Sequence, residues 1–365
     1  MKNTFGSSIT LTLFGESHGE YIGAVLDGLA PGILIEHEYI KEKLALRRPA
    51  GKISTARVEA DEYIITSGVH EGYTTGTPLC ILIPNTNKKS SDYKNLLVTP
   101  RPGHADYTAE CKYHGYQDPR GGGHFSGRIT AALVAAGALL GAALRDKGIA
   151  VGTHISYLHG VSDRGFECYE EDITKLSTLH FPVLSEEAAE KMRREIEAAA
   201  AVGDSVGGIL ESAITGVPAG IGEPWFDTIE GMLSHAVFSI PGIKGVEFGL
   251  GFGFADVLGS AGNDAFAMCE GKVVTETNNN GGINGGITNG MPIIFRSAVK
   301  PTPSIFREQK TVNLDTNTDT TLKIEGRHDP AIIHRARAVV DAVASLVIAD
   351  ALTMRLGTDY LSNSK

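Results

Sequence analysis

Residues 128–148, RITAALVAAGALLGAALRDKG, are apolar on nearly every face of a helix. A helix of that kind belongs inside a domain, where other elements cover it. Gly137 and Gly141 fall about one turn apart and let another element pack closely against it. The reading is a central buried helix with its N-terminus at a site. The pattern of the whole chain reaches mixed α and β with buried helices. The apolar run is short and dotted with glycine, so no transmembrane span is expected.

The stretch that leads into this helix is RPGHADYTAECKYHGYQDPRGGGHFSGR, 101–128. It gathers Arg101, Lys112, Arg120, Arg128 and three histidines around Gly121, Gly122 and Gly123. The glycines permit positive φ and close backbone approach to a ligand. Ser126 can cap the helix, and the helix N-terminus with Arg128 favours an anion. Arg101, stiffened by Pro102, sets a fixed cation near His104, which titrates near neutral pH. The segment reads as a cradle for phosphate or a polyanion. The formal net charge of −10 argues against a general nucleic-acid binder and makes local arginine clusters stand out. Cys80, Cys111, Cys168 and Cys269 form no C-x-x-C pair and read as buried thiols in a reducing cytoplasm. The N-terminus carries no signal-peptide pattern.

Elsewhere the chain alternates turns and short elements. Residues 7–14 read as a strand delivering the GESHG turn, with Glu16, Ser17 and His18 held between glycines. Residues 21–35 read as two short strands, and 38–48 as a helix ending in Arg47-Arg48 before Pro49. The segment that follows carries Lys52 and Arg57. A strand is expected at 151–161 and mixed structure at 162–184. Ser185 should cap the helix that follows. Glu211 on a strand near 208 reads as an edge or surface residue, and a short helix is expected near 228–238. TNNNGGINGGITNG, 277–290, reads as a surface loop or a lid with backbone donors. KPTPS, 300–304, offers a lysine and two hydroxyls on a proline-stiffened turn that suits phosphate. GRHDP, 326–330, sets Arg327, His328 and Asp329 before a C-terminal helix (331–356), with Asp329 near its N-cap.

Taken in order, GESHG, RRPAG, RPGHADYT, DPRGGGHFSGR, GVPAGIGEP, IKGVEFG, the glycine-asparagine run, KPTPS and GRHDP resemble chorismate synthase. The resemblance runs from about residue 6 to the C-terminal helix and is weakest over 162–200. It implies an α+β fold, a β-α-β sandwich with central buried helices flanked by antiparallel sheets, as a single domain over 1–365 with a variable peripheral segment near 162–200. It implies a carbon–oxygen lyase acting on phosphates. The expected reaction is the 1,4-anti elimination of phosphate from 5-enolpyruvylshikimate 3-phosphate, giving chorismate for aromatic amino acid biosynthesis.

The resemblance also implies reduced FMN, a homotetramer and a cytoplasmic location, with no nucleic acid or membrane partner. His18 is the expected general acid near the leaving phosphate, and His104 the group that protonates or stabilises the reduced flavin. Asp329 is the expected base at the flavin, with Ser17 and Ser126 as supporting hydroxyls. Arg47, Arg48, Arg101, Arg128 and Arg327 would hold the substrate's charges. The flavin positions carried over are His124, Phe125, Ser126, Pro241, Gly242, Gly285, Lys300, Pro301, Thr302, Pro303, Ser304 and Arg327. His124-Phe125 replaces the arginine and serine of many relatives. Ile53 stands where some carry an arginine, in a loop linked to nicotinamide binding. NADPH, with Arg47 as its candidate contact, is therefore a possible reductant only, and an external flavin reductase is expected. A phosphate-transferring enzyme and a non-catalytic flavin binder are the competing readings; no Walker lysine or H-E-x-x-H helix supports the first, and the acid-base residues argue against the second.

Overall fold

The computed structural model describes residues 2–49, 51–54, 61–86, 98–324 and 328–363. Its helices include α1 (His37–Arg47), α2 (Asp106–Tyr113), α3 (Thr130–Asp146), α4 (Tyr169–Leu176), α5 (Glu186–Ala201), α6 (Ile229–Phe238), the short α7 (Gly259–Gly262) and α8 (Ile333–Leu356). Two five-stranded antiparallel sheets enclose the central helices. The first runs in the order 4–5, 10–15, 21–27, 79–84, 64–67, and the second 243–248, 293–299, 208–215, 150–158, 161–162.

Each sheet turns one face to the helices because its strands alternate. Leu79, Ile81 and Ile83 are wholly buried while Cys80 and Leu82 are less so. Ile293, Phe295, Ser297 and Val299 repeat the pattern in the second sheet. α3 packs on strands 21–27 and 79–84, and α8 on strands 150–158 and 208–215. The two helices pack on one another, so the layers run sheet, helices, sheet. A single apolar core extends from Ile9 to Leu361.

Gly137 is what lets α3 and α8 meet. A Cβ there would run into the Cβ, Cα and carbonyl of Ala342. At 20 residues, Gly127–Asp146 has the length and apolarity to cross a membrane, longer than the sequence reading allowed, yet 83% of its most apolar window is buried inside the sandwich. α8 also buries Asp350, whose carboxylate accepts the amides of Ser7, Ser8 and Ile9 at 2.9, 2.7 and 2.8 Å. That ties the first strands to the last helix.

Several sequence expectations hold. Ser185 caps α5 by accepting the Ala188 amide, and helices form near 38–48 and 228–238. Others are corrected. Only one strand forms within 21–35; Leu34 makes a single bridge to Tyr73, because Gly28 and Gly32 take positive φ and turn the chain. Glu211 is no edge residue. It lies on the central strand 208–215, and its Oε2 meets His154 Nε2 at 3.0 Å. Run 277–290 is held rather than loose: Asp264 accepts from the Thr277 hydroxyl, the amides of Asn279 and Asn280, and the Asn280 side chain. A small hairpin, Ile283–Asn284 with Ile287–Thr288, follows. The four cysteines are unpaired, but Cys111, Cys168 and Cys269 are exposed rather than buried.

Candidate active site

A cavity of about 1020 Å³ opens at the N-terminal ends of α3 and α8. This is the upper range for a small-molecule site. Its floor is apolar, from Leu133 on α3 and Ile332, Val339 and Val343 at α8. Its walls come from chain ends that the helices and strands bring together: the end of α1, the turn before α2, the glycine turn before α3, Pro241-Gly242 after α6, and the 300–303 turn.

One wall is a network of charge. α1 stops at Arg47 because Pro49 follows, and Arg47 and Arg48 turn toward the cavity. Arg128 donates from Nε to Asn85 Oδ1 at 3.0 Å and from Nη2 to the Pro84 carbonyl at 3.1 Å. Its Nη1 pairs with Asp61 Oδ1. The other oxygen of Asp61 lies 3.4 Å from Arg47 Nη1, and Arg47 Nη2 reaches the Arg128 carbonyl at 3.3 Å. The Asp61 side chain is fully buried. A buried carboxylate between two guanidiniums is tolerable because the pairings offset its desolvation. Two guanidiniums around one carboxylate make this trio the cationic part of the wall.

The opposite wall centres on His104. Its Nε2 is 2.7 Å from Ser304 Oγ. Burial, then the Arg101 charge, pushes its pKa down to about 4, against a pull upward from Asp106. The imidazole is therefore neutral at pH 7 in the ligand-free protein. Arg101 forks onto Asp106 with two 2.8 Å bonds. Burial alone would raise the Asp106 carboxyl, but that fork holds it below the usual range. Lys300 Nζ donates to the Gly103 carbonyl at 2.5 Å, tying the 300–304 turn to the loop of His104. Burial, with Lys244 nearby, lowers its pKa.

The glycine turn forms the rim. Gly121, Gly122 and Gly123 have φ of 62°, 87° and 54°. Ser126 Oγ accepts the Arg128 amide at 3.2 Å and starts the turn into α3. Gly121 and Gly122 face the cavity, and Ser17 and His18 lie directly behind Gly121. Ser17 Oγ bonds His18 Nδ1 and the carbonyls of Arg120 and Gly121, each at 3.2 Å. His124 Nδ1 donates to the Gly15 carbonyl at 2.8 Å, which ties the rim to the GESHG turn.

Arg47, Arg48, Arg101, His104, His124, Phe125, Ser126, Arg128, Pro241, Gly242, Lys300, Thr302, Pro303 and Asp329 thus share one cavity. Ser304 supports it through His104. Ser17 and His18 sit behind its rim. Gly285 and Pro301 do not line it; Gly285 lies in the hairpin 283–288. Arg120 points to solvent and forks onto Asp118. Arg327 and Arg57 lie outside the described residues, as does the side chain of Lys52.

Asp329 is not the N-cap of α8, a position held by Ile332. It pairs instead with Arg335 Nη1 at 2.5 Å. The sequence reading missed Asp61, Asn85 and Arg335. One of the three acids in EADEY and an arginine in a helix carry no local signal; only the fold brings them to the wall.

An antiparallel β-α-β sandwich whose helix ends frame an arginine- and histidine-walled cavity is the architecture of a small-molecule enzyme. The chain belongs to the chorismate synthase family, whose profile matches residues 9–353. It is 48% identical over 350 residues to the chorismate synthase of Pyrococcus abyssi, covering 96% of this chain and 97% of the relative. It is 47% identical over 363 residues to that of Lachnoclostridium phytofermentans, with 98% of each covered. A solved crystal structure of chorismate synthase superposes with a TM-score of 0.76 at 28% identity, over 98% of this chain and 95% of that one.

Proposed function

We propose that this chain eliminates phosphate from 5-enolpyruvylshikimate 3-phosphate to give chorismate, with reduced FMN held in the cavity. The observation that carries the reading is a single cavity joining an apolar floor to an arginine wall and a neutral, buried histidine. The substrate is a phosphomonoester with two carboxylates, and arginine forks suit such groups. A flavin nucleotide needs an apolar bed for its ring and donors for its phosphate. The floor supplies the first. Lys300 and the Thr302 hydroxyl, which is buried with no hydrogen-bond partner among the described residues, fit the second.

Reduced FMN, when bound, would supply the electron density that helps phosphate leave and the C6 hydrogen be lost. The protein's share is orientation, charge and protons. Arg47, Arg48, Arg101 and Arg128 hold the substrate's anionic groups, and Arg327 is assigned with them by family resemblance. An anion held beside His104 would raise its pKa and favour the protonated form, because an opposite charge stabilises the imidazolium. His18, steadied by Ser17, serves the departing phosphate at the Gly121 rim. Asp329 is the candidate base, and Ser126 sets the turn that presents Arg128.

The protein is a lyase of the cytoplasm that takes reduced FMN from a separate reductase. Ile53 in the α1 loop disfavours a strong NADPH site at Arg47. The homotetramer is carried over from family resemblance; apolar side chains left open on 225–273 support self-association: Phe266 and Met268, two apart on one strand face, are 68% and 70% exposed, and Phe252 is 85% exposed.

An anaerobic assay with 5-enolpyruvylshikimate 3-phosphate and chemically reduced FMN tests the reading. Chorismate and phosphate should appear in equal amounts and only with reduced flavin. Phosphate release that needs a divalent metal and no flavin would overturn it. Oxidised FMN with NADPH should give no turnover without an added reductase.

A further inference from the structure

We infer that Arg335 is a positioning residue that locks Asp329 and the end of α1 into one unit, an inference that rests on the function proposed above. Arg335 lies in the first turn of α8 and lines the cavity. One arm, Nη1, meets Asp329 Oδ2 at 2.5 Å. Its Nε donates to the Arg47 carbonyl at 2.8 Å. The two bonds join three separate elements: the turn before α8, α8 itself and the C-terminus of α1. Both partners are acceptors, a carboxylate and a carbonyl at the negative end of a helix. A planar guanidinium serves both at once, whereas an ammonium on a flexible stem does not fix the angle between them.

The pairing has two consequences. The Asp329 side chain is only 10% exposed, and the Arg335 guanidinium is one of the groups that offset the desolvation of its charge. The Arg47 backbone, held by Arg335, fixes where the Arg47 side chain meets Asp61. The base candidate and the anion wall therefore keep a set spacing. Among the described residues, the other charged or titratable groups here include His328, His334, Arg47 and Asp61, with His180 acting on His334. His334 is neutral near pH 7: burial, then Arg335, pushes it down to about 4, although Asp329 pulls it up.

The test compares full-length wild type with Arg335→Gln and Arg335→Lys, each checked for folding by circular dichroism. In the anaerobic assay Arg335→Gln should lower kcat and raise KM for 5-enolpyruvylshikimate 3-phosphate, each by about tenfold or more, because the Asp329 carboxylate and the Arg47 backbone both lose their tie. Arg335→Lys keeps the charge and loses the fork, so it should recover part of kcat and not the KM. A crystal structure of Arg335→Gln should show the Asp329 carboxylate and the end of α1 displaced from each other. A folded Arg335→Gln protein with wild-type kcat and KM overturns the inference; so does a structure in which both groups keep their places. If the glutamine variant does not fold, the lysine variant decides: wild-type KM and kcat overturn it. Displaced groups in a protein whose wild type shows no turnover uphold the positioning role and instead sink the proposed reaction.

Discussion

His104 Nε2 and Ser304 Oγ meet at 2.7 Å although 200 residues of chain separate them. The contact joins the turn before α2 to the turn after strand 293–299, and Lys300 repeats the junction by reaching Gly103. A buried neutral imidazole held by one hydroxyl has a defined orientation. Ser304→Ala should therefore lower turnover by about tenfold, while His104→Ala removes the proton-transfer group and should cost about 10²–10⁴-fold. Both should stay folded by circular dichroism. Anaerobic single-turnover kinetics give the rates, and equal rates for the serine variant and wild type would remove the hydroxyl from the mechanism.

The glycine rim separates two kinds of substitution. A Cβ at Gly121 would overlap the imidazole of His18 and press on Ser17 Oγ. At Gly122 it would meet only Ser126 Cβ, at 3.9 Å. Both have positive φ, so each alanine carries a backbone cost of about 1–2 kcal/mol. Gly121→Ala should add displacement of His18 and lose most activity. Gly122→Ala displaces no catalytic side chain, so its loss of activity should be the smaller of the two. Urea unfolding and the anaerobic assay, run on both variants, separate the two effects; equal activity loss would mean that His18 does not act from behind Gly121.

What the sequence disclosed follows the range of its signals. The apolar faces of α3 and its glycines pointed to a buried helix packed closely, and Gly137 against Ala342 is that contact. Gly121 to Gly123 pointed to a positive-φ turn, and the turn is there. These are local facts about one stretch of chain. The charge network is not local. Asp61 gains its meaning from Arg47 and Arg128, 14 and 67 residues away. Glu211 looked like a surface residue because its partner His154 lies on the next strand. Asp329 looked like a helix cap because its position before α8 fits one, yet Arg335 claims its carboxylate.

Stability should fall on acidification for a reason that can be signed. His334 is 1% exposed, and burial with the Arg335 charge depresses its pKa to about 4. His104 is likewise pushed down to about 4 by burial and then Arg101. Between about pH 6.5 and 4 the unfolded chain binds protons that the native histidines refuse, so unfolding becomes easier as pH falls. For His334 the loss is on the order of 3 kcal/mol over that window. His154 has the opposite sign. Burial opposes its charge, but bonds to Asp163 and Glu211 win and raise its pKa. Its contribution is present in acid and lost as pH rises through the raised value. Urea midpoints from pH 4.5 to 9 should therefore peak near neutrality. His334→Asn should flatten the acid side and His154→Gln the alkaline side.

The packing of α3 on α8 links the core to the site. A methyl at Gly137 has no room, since Ala342 backbone and Cβ both stand where it would go. At Gly141 the nearest atom would be Ser345 Oγ at 3.3 Å, the end of a side chain that can turn. Alanine in place of glycine gains up to about 1 kcal/mol of helix propensity at either position. At Gly141 that gain should leave stability unchanged or slightly higher. At Gly137 overpacking should prevail and cost about 1–3 kcal/mol. The helices would then part, and Arg128 just before α3 and Arg335 in the first turn of α8 would move with them. Gly137→Ala should thus raise KM for 5-enolpyruvylshikimate 3-phosphate as well as lower the melting temperature. Thermal unfolding and anaerobic steady-state kinetics test both, and a lowered melting temperature with wild-type KM would show that the cavity wall tolerates a shift of its helices.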